Sequence, residues 1–178
     1  IKRKPRWLPI AALAACAVAW KFGISGETAA AALAEFHGAG RRLEYKGSFH
    51  GADVYDDYAH HPNELHALLQ AVRLMHYRRV ICAFQPHTYS RTKALFQSFV
   101  DELRTADQVV LADIYAAREQ NTVGVSSQEL AAEIPGAVYC PSLQGVTAYL
   151  RENAQPGDII LTVGAGDIYK AGEALFTE

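Results

Sequence analysis

Apolar and polar residues follow two different rhythms along this chain, and the change between them falls near residue 40. Residues 8–22 are almost continuously apolar and rich in alanine, which predicts a buried helix stopped at Gly23. Ser25 is placed to cap a second helix from Glu27 to about Phe36, since its hydroxyl can accept from the free amides of the first turn. A helix, a short turn and a helix are too little to bury an apolar face. The pair is therefore expected to be the edge of a larger domain, and His37-Gly38-Ala39-Gly40 reads as a joint.

Beyond the joint, short apolar runs of strand length alternate with amphipathic segments of helical period. Leu43–Phe49 and Ala52–Asp57, split by His50-Gly51, predict a hairpin. Pro62 suits the first turn of a helix running to about Leu74, with Leu65, Leu68, Leu69 and Val72 on one face. The remaining strands are expected at Arg79–Phe84, Gln108–Ala112, Ala137–Cys140 and Asp158–Val163. Helices are expected at Thr92–Arg104, Ser126–Ile134, Ser142–Glu152 and Ile168–Phe176. Such an alternation specifies an α/β unit: a Rossmann-like, mostly parallel sheet with helices on both faces, preceded by the helical hairpin. The expected division is 1–40 and 41–178.

Composition narrows the function without choosing it. Half of the 178 residues are hydrophobic and a fifth are charged, as in an ordinary globular protein, and a net charge of -2 gives no electrostatic case for nucleic acid or an anionic membrane. Residues 1–20 run from basic to apolar, and Leu13-Ala14-Ala15-Cys16 imitates a lipoprotein cleavage box. The alanine content and the continuation in helical register through Trp20-Lys21-Phe22 favour a helix over a leader, and the run is shorter than a membrane span requires. Cys16, Cys82 and Cys140 lie far apart with no paired spacing, which suits a reducing cytoplasm. Cys82 and Cys140 fall in apolar runs and are expected to be buried and inert.

Ligands of a parallel α/β sheet bind beyond the carboxyl ends of its strands. Four loops there carry chemistry: Asp56-Asp57-Tyr58-Ala59-His60-His61-Pro62, then Gln85–Thr92, Asp113–Glu119, and Gly164-Ala165-Gly166-Asp167. Two aspartates before two histidines could suit a metal-dependent hydrolase, but no histidine pair has i, i+4 spacing and no third ligand cluster follows, so no metal ligands are assigned. A plainer reading has Asp57 and Pro62 only shaping a strand-to-helix turn. Arg91 is expected at a helix start, where a cation is unfavourable unless an anion is held beside it. That points to a carboxylate or phosphate. Gly164-Ala165-Gly166 lacks the third glycine and the distal acid of a dinucleotide fingerprint, and justifies only a tight turn. His66, His76 and His87 read as structural. These residues alone leave open an enzyme fragment and a stand-alone nucleotide- or metabolite-binding module.

Phe36–Glu44, Asp56–Glu64, Phe84–Thr92 and Gly164–Ile168 together resemble the C-terminal portion of the Mur ligases, from about Ile10 to the end of the chain. The second and third segments look like the member that adds L-alanine. A murein-peptide ligase shares a motif like the Asp56–Glu64 one but lacks the Gln-Pro-His-x-Tyr-Ser-Arg-Thr loop. The resemblance implies a cytoplasmic, ATP-dependent ligase of peptidoglycan synthesis, and so of cell-wall biogenesis, cell shape and division. It would join L-alanine to UDP-N-acetylmuramate through an acyl phosphate, with Mg2+ neutralising the phosphates. It also implies that residues 1–40 are the end of a central ATP-binding domain, which holds most of the ATP and Mg2+ contacts, and that 41–178 is an amino-acid-binding domain. By motif match Arg42 and Asp57 take catalytic, nucleotide-contacting roles, while Tyr58, His60 and Arg91 lie near the incoming alanine, Arg91 as its carboxylate partner.

Three departures from the family pattern qualify that resemblance. Thr88 stands where some relatives carry a second arginine. Trp7-Leu8-Pro9-Ile10-Ala11 replaces a His-Asn-x-x-Asn segment, and no Gly-x-x-Gly-Lys-Thr-like loop occurs in the 178 residues. Half a site at most is therefore expected here.

Overall fold

The computed structural model describes residues 8–36 and 39–177. Lys2, Arg3, Lys4, Arg6 and Trp7, and His37 and Gly38 of the expected joint, lie outside the described residues. The chain divides into two compact units, Ile1–Gly38 and Ala39–Glu178.

The first unit is the expected hairpin, α1 (Leu8–Lys21) and α2 (Gly26–Glu35), with the Thr28 amide donating to Ser25 Oγ at 3.1 Å. The expected burial of its first helix is not found. Leu13, Val18, Trp20 and Phe22 are all exposed, and α2 buries none of its residues. Two helices cover only one strip of each other, so apolar side chains around the rest of each cylinder stay in water. No helix among the described residues is long and apolar enough to cross a membrane.

The second unit runs β1 (Glu44–Phe49), β2 (Ala52–Asp57), α3 (Pro62–Arg73), β3 (Arg79–Phe84), α4 (Tyr89–Ala94), α5 (Phe96–Leu103), β4 (Gln108–Leu111), α6 (Ser127–Ala132), β5 (Val138–Tyr139), α7 (Leu143–Asn153), β6 (Asp158–Val163) and α8 (Tyr169–Glu173). A 3₁₀ turn at Ala174–Phe176 ends it. The sheet order is β1-β2-β6-β3-β4-β5. Only β1 is antiparallel to its neighbour.

The two-residue period of the strands sorts one core into two layers. Cys82 and Phe84 of β3, with Leu161 and Val163 of β6, meet Leu65 and Leu69 of α3 and Phe99 and Leu103 of α5. On the other face Ile81, Ala83 and Ile160 meet Val146 and Leu150 of α7 and Ala171 of α8. Cys82 is fully buried, and burial pushes its thiol up to about 12, so it is inert as expected. Cys140 departs from expectation: it is only partly buried, because the strand before it has two residues and forms the sheet edge.

Two helices also depart from the expected pattern. The single helix expected at Thr92–Arg104 is two, broken at Leu95 (φ -113°, ψ 19°) and starting earlier, at Tyr89. The break lets α5 turn Phe99, Val100 and Leu103 into the core while α4, with only Thr92 buried, stays at the sheet end. The last helix tightens to 3₁₀ after Glu173.

Candidate functional site

Every loop expected to carry chemistry emerges at the carboxyl end of β2, β3, β4 or β6, and the parallel register brings these loops to one rim. Its floor is the turn after β6. The Gly164 amide donates to the Asp57 carbonyl at 3.0 Å, and the Gln85 amide donates to the Val163 carbonyl at 2.9 Å. Gln85 Oε1 accepts from the amides of Asp167 and Ile168 at 2.9 and 3.1 Å, while Gln85 Nε2 donates to Asp167 Oδ1 at 3.1 Å. A Cβ on Gly164 (φ +149°) would sit 2.6 Å from the Gln85 carbonyl oxygen, and one on Gly166 would strike Gln85 Oε1 and the Tyr115 side chain. The glycines are there so that the β3 loop can approach. The amides that a dinucleotide phosphate would use are occupied by Gln85.

The segment after β2 is held by its own carboxylates. Asp57 Oδ2 accepts from the Leu43 amide at 2.7 Å and Oδ1 from the Ala59 amide at 2.8 Å. Burial pushes the Asp57 carboxyl above its ordinary value, against the pull of those amides and of the Arg42 charge. The turn-shaping reading of Asp57 thus describes its contacts. The helix cap, however, belongs to other residues: His61 accepts from the Asn63 amide at 3.3 Å, and Glu64 Oε2 accepts from the His60 and His61 amides at 2.8 and 3.1 Å. Burial alone would raise Glu64, but the His60 amide and charge outweigh it and hold the carboxyl low.

Four of the five residues singled out from the sequence, Arg42, Tyr58, His60 and Arg91, form one row, with His87 as the link between the last two. The Arg42 guanidinium is exposed and lies 5.7 Å from the Tyr58 ring centre, with no ion pair among the described residues. Asp57 anchors the backbone beneath. Tyr58 meets His60 edge-on at 5.5 Å, and the His60 ring lies 6.1 Å from that of His87. His87 stacks on Tyr115 at 5.5 Å, and its Nδ1 is 3.5 Å from Arg91 Nη1. Burial, with the Arg91 and His60 charges behind it, pulls His87 below the usual histidine range. A neutral imidazole can accept from a guanidinium, so His87 steadies Arg91. The expectation that His87 is merely structural missed this neighbourhood.

Arg91 itself is not at a helix start. It is the third residue of a six-residue helix, near the last turn as much as the first, so the dipole argument for an anion loses its basis. Its neighbour now carries that role: a partly buried guanidinium beside an imidazole that is itself stacked on Tyr115 can bind a carboxylate bidentately. Glu119 closes the far side by accepting from the Ser90 amide and hydroxyl at 2.8 and 2.5 Å. Thr88 holds φ +70°, rare for a β-branched residue, where its amide donates to the Tyr115 carbonyl and its own carbonyl accepts from Thr92 Oγ1.

Sequence reasoning chose Arg42 and passed over its neighbour. Arg41 is the more deeply held: Nε donates to Asp56 Oδ2 at 2.7 Å, Nη2 to the Gly164 carbonyl at 2.7 Å and Nη1 to the Gly166 carbonyl at 3.1 Å. Asp56 is almost wholly buried and also accepts from Thr162 Oγ1 at 3.0 Å. Nothing in the dipeptide Arg41-Arg42 says which side chain turns inward. No group of three or more histidine, cysteine, aspartate or glutamate side chains is arranged to hold a metal among the described residues.

The family model for the Mur ligase, glutamate ligase domain matches residues 41–166. A UDP-N-acetylmuramate–L-alanine ligase of Caldanaerobacter subterraneus subsp. tengcongensis is 45% identical over 171 residues, covering 94% of this chain and 37% of the relative. The crystal structure of UDP-N-acetylmuramate-alanine ligase from Thermotoga maritima is similar with a TM-score of 0.71 and 26% identity, over 98% of this chain and 38% of that one. A murein peptide ligase from Psychrobacter arcticus follows with a TM-score of 0.62 and 25% identity, over 93% of this chain and 35% of that one. The chain thus spans well under half the length of the relatives it matches. With the model matched from the joint to the glycine turn, on a sheet of the same architecture, the chain belongs to the Mur ligase, glutamate ligase domain family.

Proposed function

We propose that this chain is the amino-acid-delivering C-terminal part of a cytoplasmic ligase that joins L-alanine to UDP-N-acetylmuramate at the expense of ATP in peptidoglycan synthesis. In this reading residues 1–40 are the end of the ATP-binding domain and 41–178 the domain that closes over the nucleotide. The observation that carries it is the row Arg42–Tyr58–His60–His87–Arg91 on one rim. A zwitterionic amino acid needs a cation for its carboxylate and aromatic walls that leave its amine free to attack. Arg91 supplies the first, and Tyr58, His60 and His87 supply the second. The 45% identity to an alanine-adding relative, over almost the whole chain, favours L-alanine as the amino acid.

ATP supplies the activation of the muramyl carboxylate. The exposed Arg42, which has no ion pair among the described residues, suits a phosphate or another anion, and Asp57 fixes the backbone beside it. No phosphate-binding lysine loop occurs in this sequence, and the carboxylates of the rim are already engaged, Asp57 and Glu64 by backbone amides, Asp56 by Arg41 and Thr162, and Asp167 by Gln85. The residues present therefore do not fit a Mg2+ site, and both ATP and Mg2+ are assigned mainly to the rest of the ligase.

The test uses the ligase that contains this chain together with its ATP-binding domain. Phosphate release should require UDP-N-acetylmuramate and L-alanine together, with the amide seen by mass spectrometry. The 178-residue chain alone should hydrolyse no ATP, and robust hydrolysis by it would contradict the assignment. Preference for an L-alanyl-peptide over free L-alanine would replace this reading with that of a murein-peptide ligase.

A further inference from the structure

Arg41 makes more long-range contacts than any residue singled out from the sequence. Its three guanidinium donors reach the buried carboxylate at the end of β2 and two carbonyls of the turn after β6, up to 125 residues away. The same group lies between two aromatic rings, 4.9 Å from the centre of Tyr58 and 4.7 Å from that of Tyr169. Its backbone is committed as well: the Arg41 amide donates to Glu44 Oε2 at 2.7 Å and its carbonyl accepts from the Tyr58 amide at 2.8 Å.

This residue also holds φ +55°, and Leu43 holds φ +46°, so the chain is strained on both sides of Arg42. The strain turns two successive side chains in opposite senses, one into the rim and one out to solvent. A residue placed merely to stabilise the fold would not require left-handed backbone, because a flexible lysine or arginine on β1 could pair with Asp56 from ordinary geometry.

We propose that Arg41 is a positioning residue for the amino-acid pocket: it holds the Tyr58 ring and the Gly164–Gly166 turn as one wall, and acts on the substrate through Tyr58 without touching it. This deepens the ligase reading and, for its effect on substrate, rests on it. A lysine at 41 would keep the charge beside Asp56 but could neither span both carbonyls nor lie flat between the rings.

Two measurements test it. In the 178-residue chain, Arg41→Met and Arg41→Lys should raise hydrogen exchange at the Tyr58 and Gly164 amides about tenfold or more, with core amides of β3 and β6 unchanged. Arg42→Met should leave those amides protected. This arm needs no substrate, so it stands even if the ligase reading fails. In the complete ligase, Arg41→Met should raise the KM for the amino acid about tenfold or more while the KM for ATP holds. Added to Tyr58→Leu, it should have little further effect, because the two act through one ring. Unchanged exchange at Tyr58 and Gly164 overturns the proposal. So does a double variant whose loss is the product of the two single losses, which would make Arg41 structural only.

Discussion

The two ends of the sheet each bury an aspartate against arginine, yet only the carboxyl end also gathers histidines, tyrosines and a glycine turn around it. At the amino end Asp158 is fully buried and accepts from Arg79 at 2.7 Å, Arg78 at 3.2 Å and the Gln155 amide at 3.0 Å. Its partners lie beside it on β3 and on the turn into β6, and their donors serve only to close that end. At the carboxyl end Asp56 has a similar carboxylate and a similar arginine. There, however, Arg41 extends two of its donors to the glycine turn and lies against two rings.

Backbone strain divides the same way. Arg41, Leu43, Thr88 and Ala117, residues that rarely adopt positive φ, do so at the carboxyl end. At the other end, among the described non-glycine residues, only His50 and His76 do, in tight turns that histidine tolerates well. Strain held by specific hydrogen bonds marks the end where geometry matters more than stability.

The largest expected effect is at the amino end, and it should be one of stability alone. Asp158→Ala removes the buried acceptor of the Gln155 amide and of two guanidinium groups that keep access to solvent, and should cost about 1.5–3 kcal/mol in urea unfolding, with ligand constants unchanged while the chain is folded. Burial would by itself raise this carboxyl, but Arg79, the Gln155 amide and Arg78 outweigh it and hold it below the ordinary value. A depressed carboxylate contributes fully above its unfolded pKa of about 4 and loses that contribution as pH falls through the folded value. The stability gap between wild type and Asp158→Asn should therefore narrow below about pH 4. A gap that widens there would reverse the sign of the argument.

At the carboxyl end the order of effects inverts. In the complete ligase Arg42→Ala should lower turnover about a hundredfold, as misplacement of reacting groups does, with unfolding free energy within about 0.5 kcal/mol of wild type. Asp57→Ala should lower turnover similarly and also cost stability, since the Leu43 and Ala59 amides lose their acceptors. Normal rates in both variants would remove them from the site. The smallest effect is expected at Thr88. Glycine there relieves about 1–3 kcal/mol of strain and adds about 0.5–1 kcal/mol of backbone entropy cost, for a net gain between zero and about 2.5 kcal/mol. A clear loss in Tm would mean that the Thr88 methyl or hydroxyl packs usefully.

Much of this division was legible in the sequence. The two-residue rhythm of Arg79–Phe84 and Asp158–Val163, and the punctuation by Pro62 and Ser142, predicted the elements and their order, and the topology then put the polar loops at one end. What escaped was whatever depends on a single dihedral angle or a distant partner. The break at Leu95 carries no glycine or proline to announce it, and with the start at Tyr89 it leaves Arg91 third in a helix of six residues. Arg41 and Arg42 are identical in type and adjacent, so only the left-handed turn around them decides which is buried. His87 looked ordinary because its partners, Tyr115 and His60, come from other loops. The apolar pattern of α1 predicts burial, but pattern gives only the face to be covered and not the element that covers it.

The claim that the carboxyl end captures an amino acid is tested most directly at Arg91, by steady-state kinetics of the complete ligase with each substrate varied in turn. Losing one charge-assisted hydrogen bond costs about 1.5–3 kcal/mol, a factor of about ten to a hundred in affinity. Arg91→Ala should raise the KM for L-alanine by about that factor and leave those for ATP and UDP-N-acetylmuramate nearly unchanged. Arg91→Lys should recover only part of the loss, because an ammonium cannot reproduce the planar fork. If all three KM values rise together, or only that for the nucleotide sugar rises, the row ending at Arg91 is not the amino-acid site.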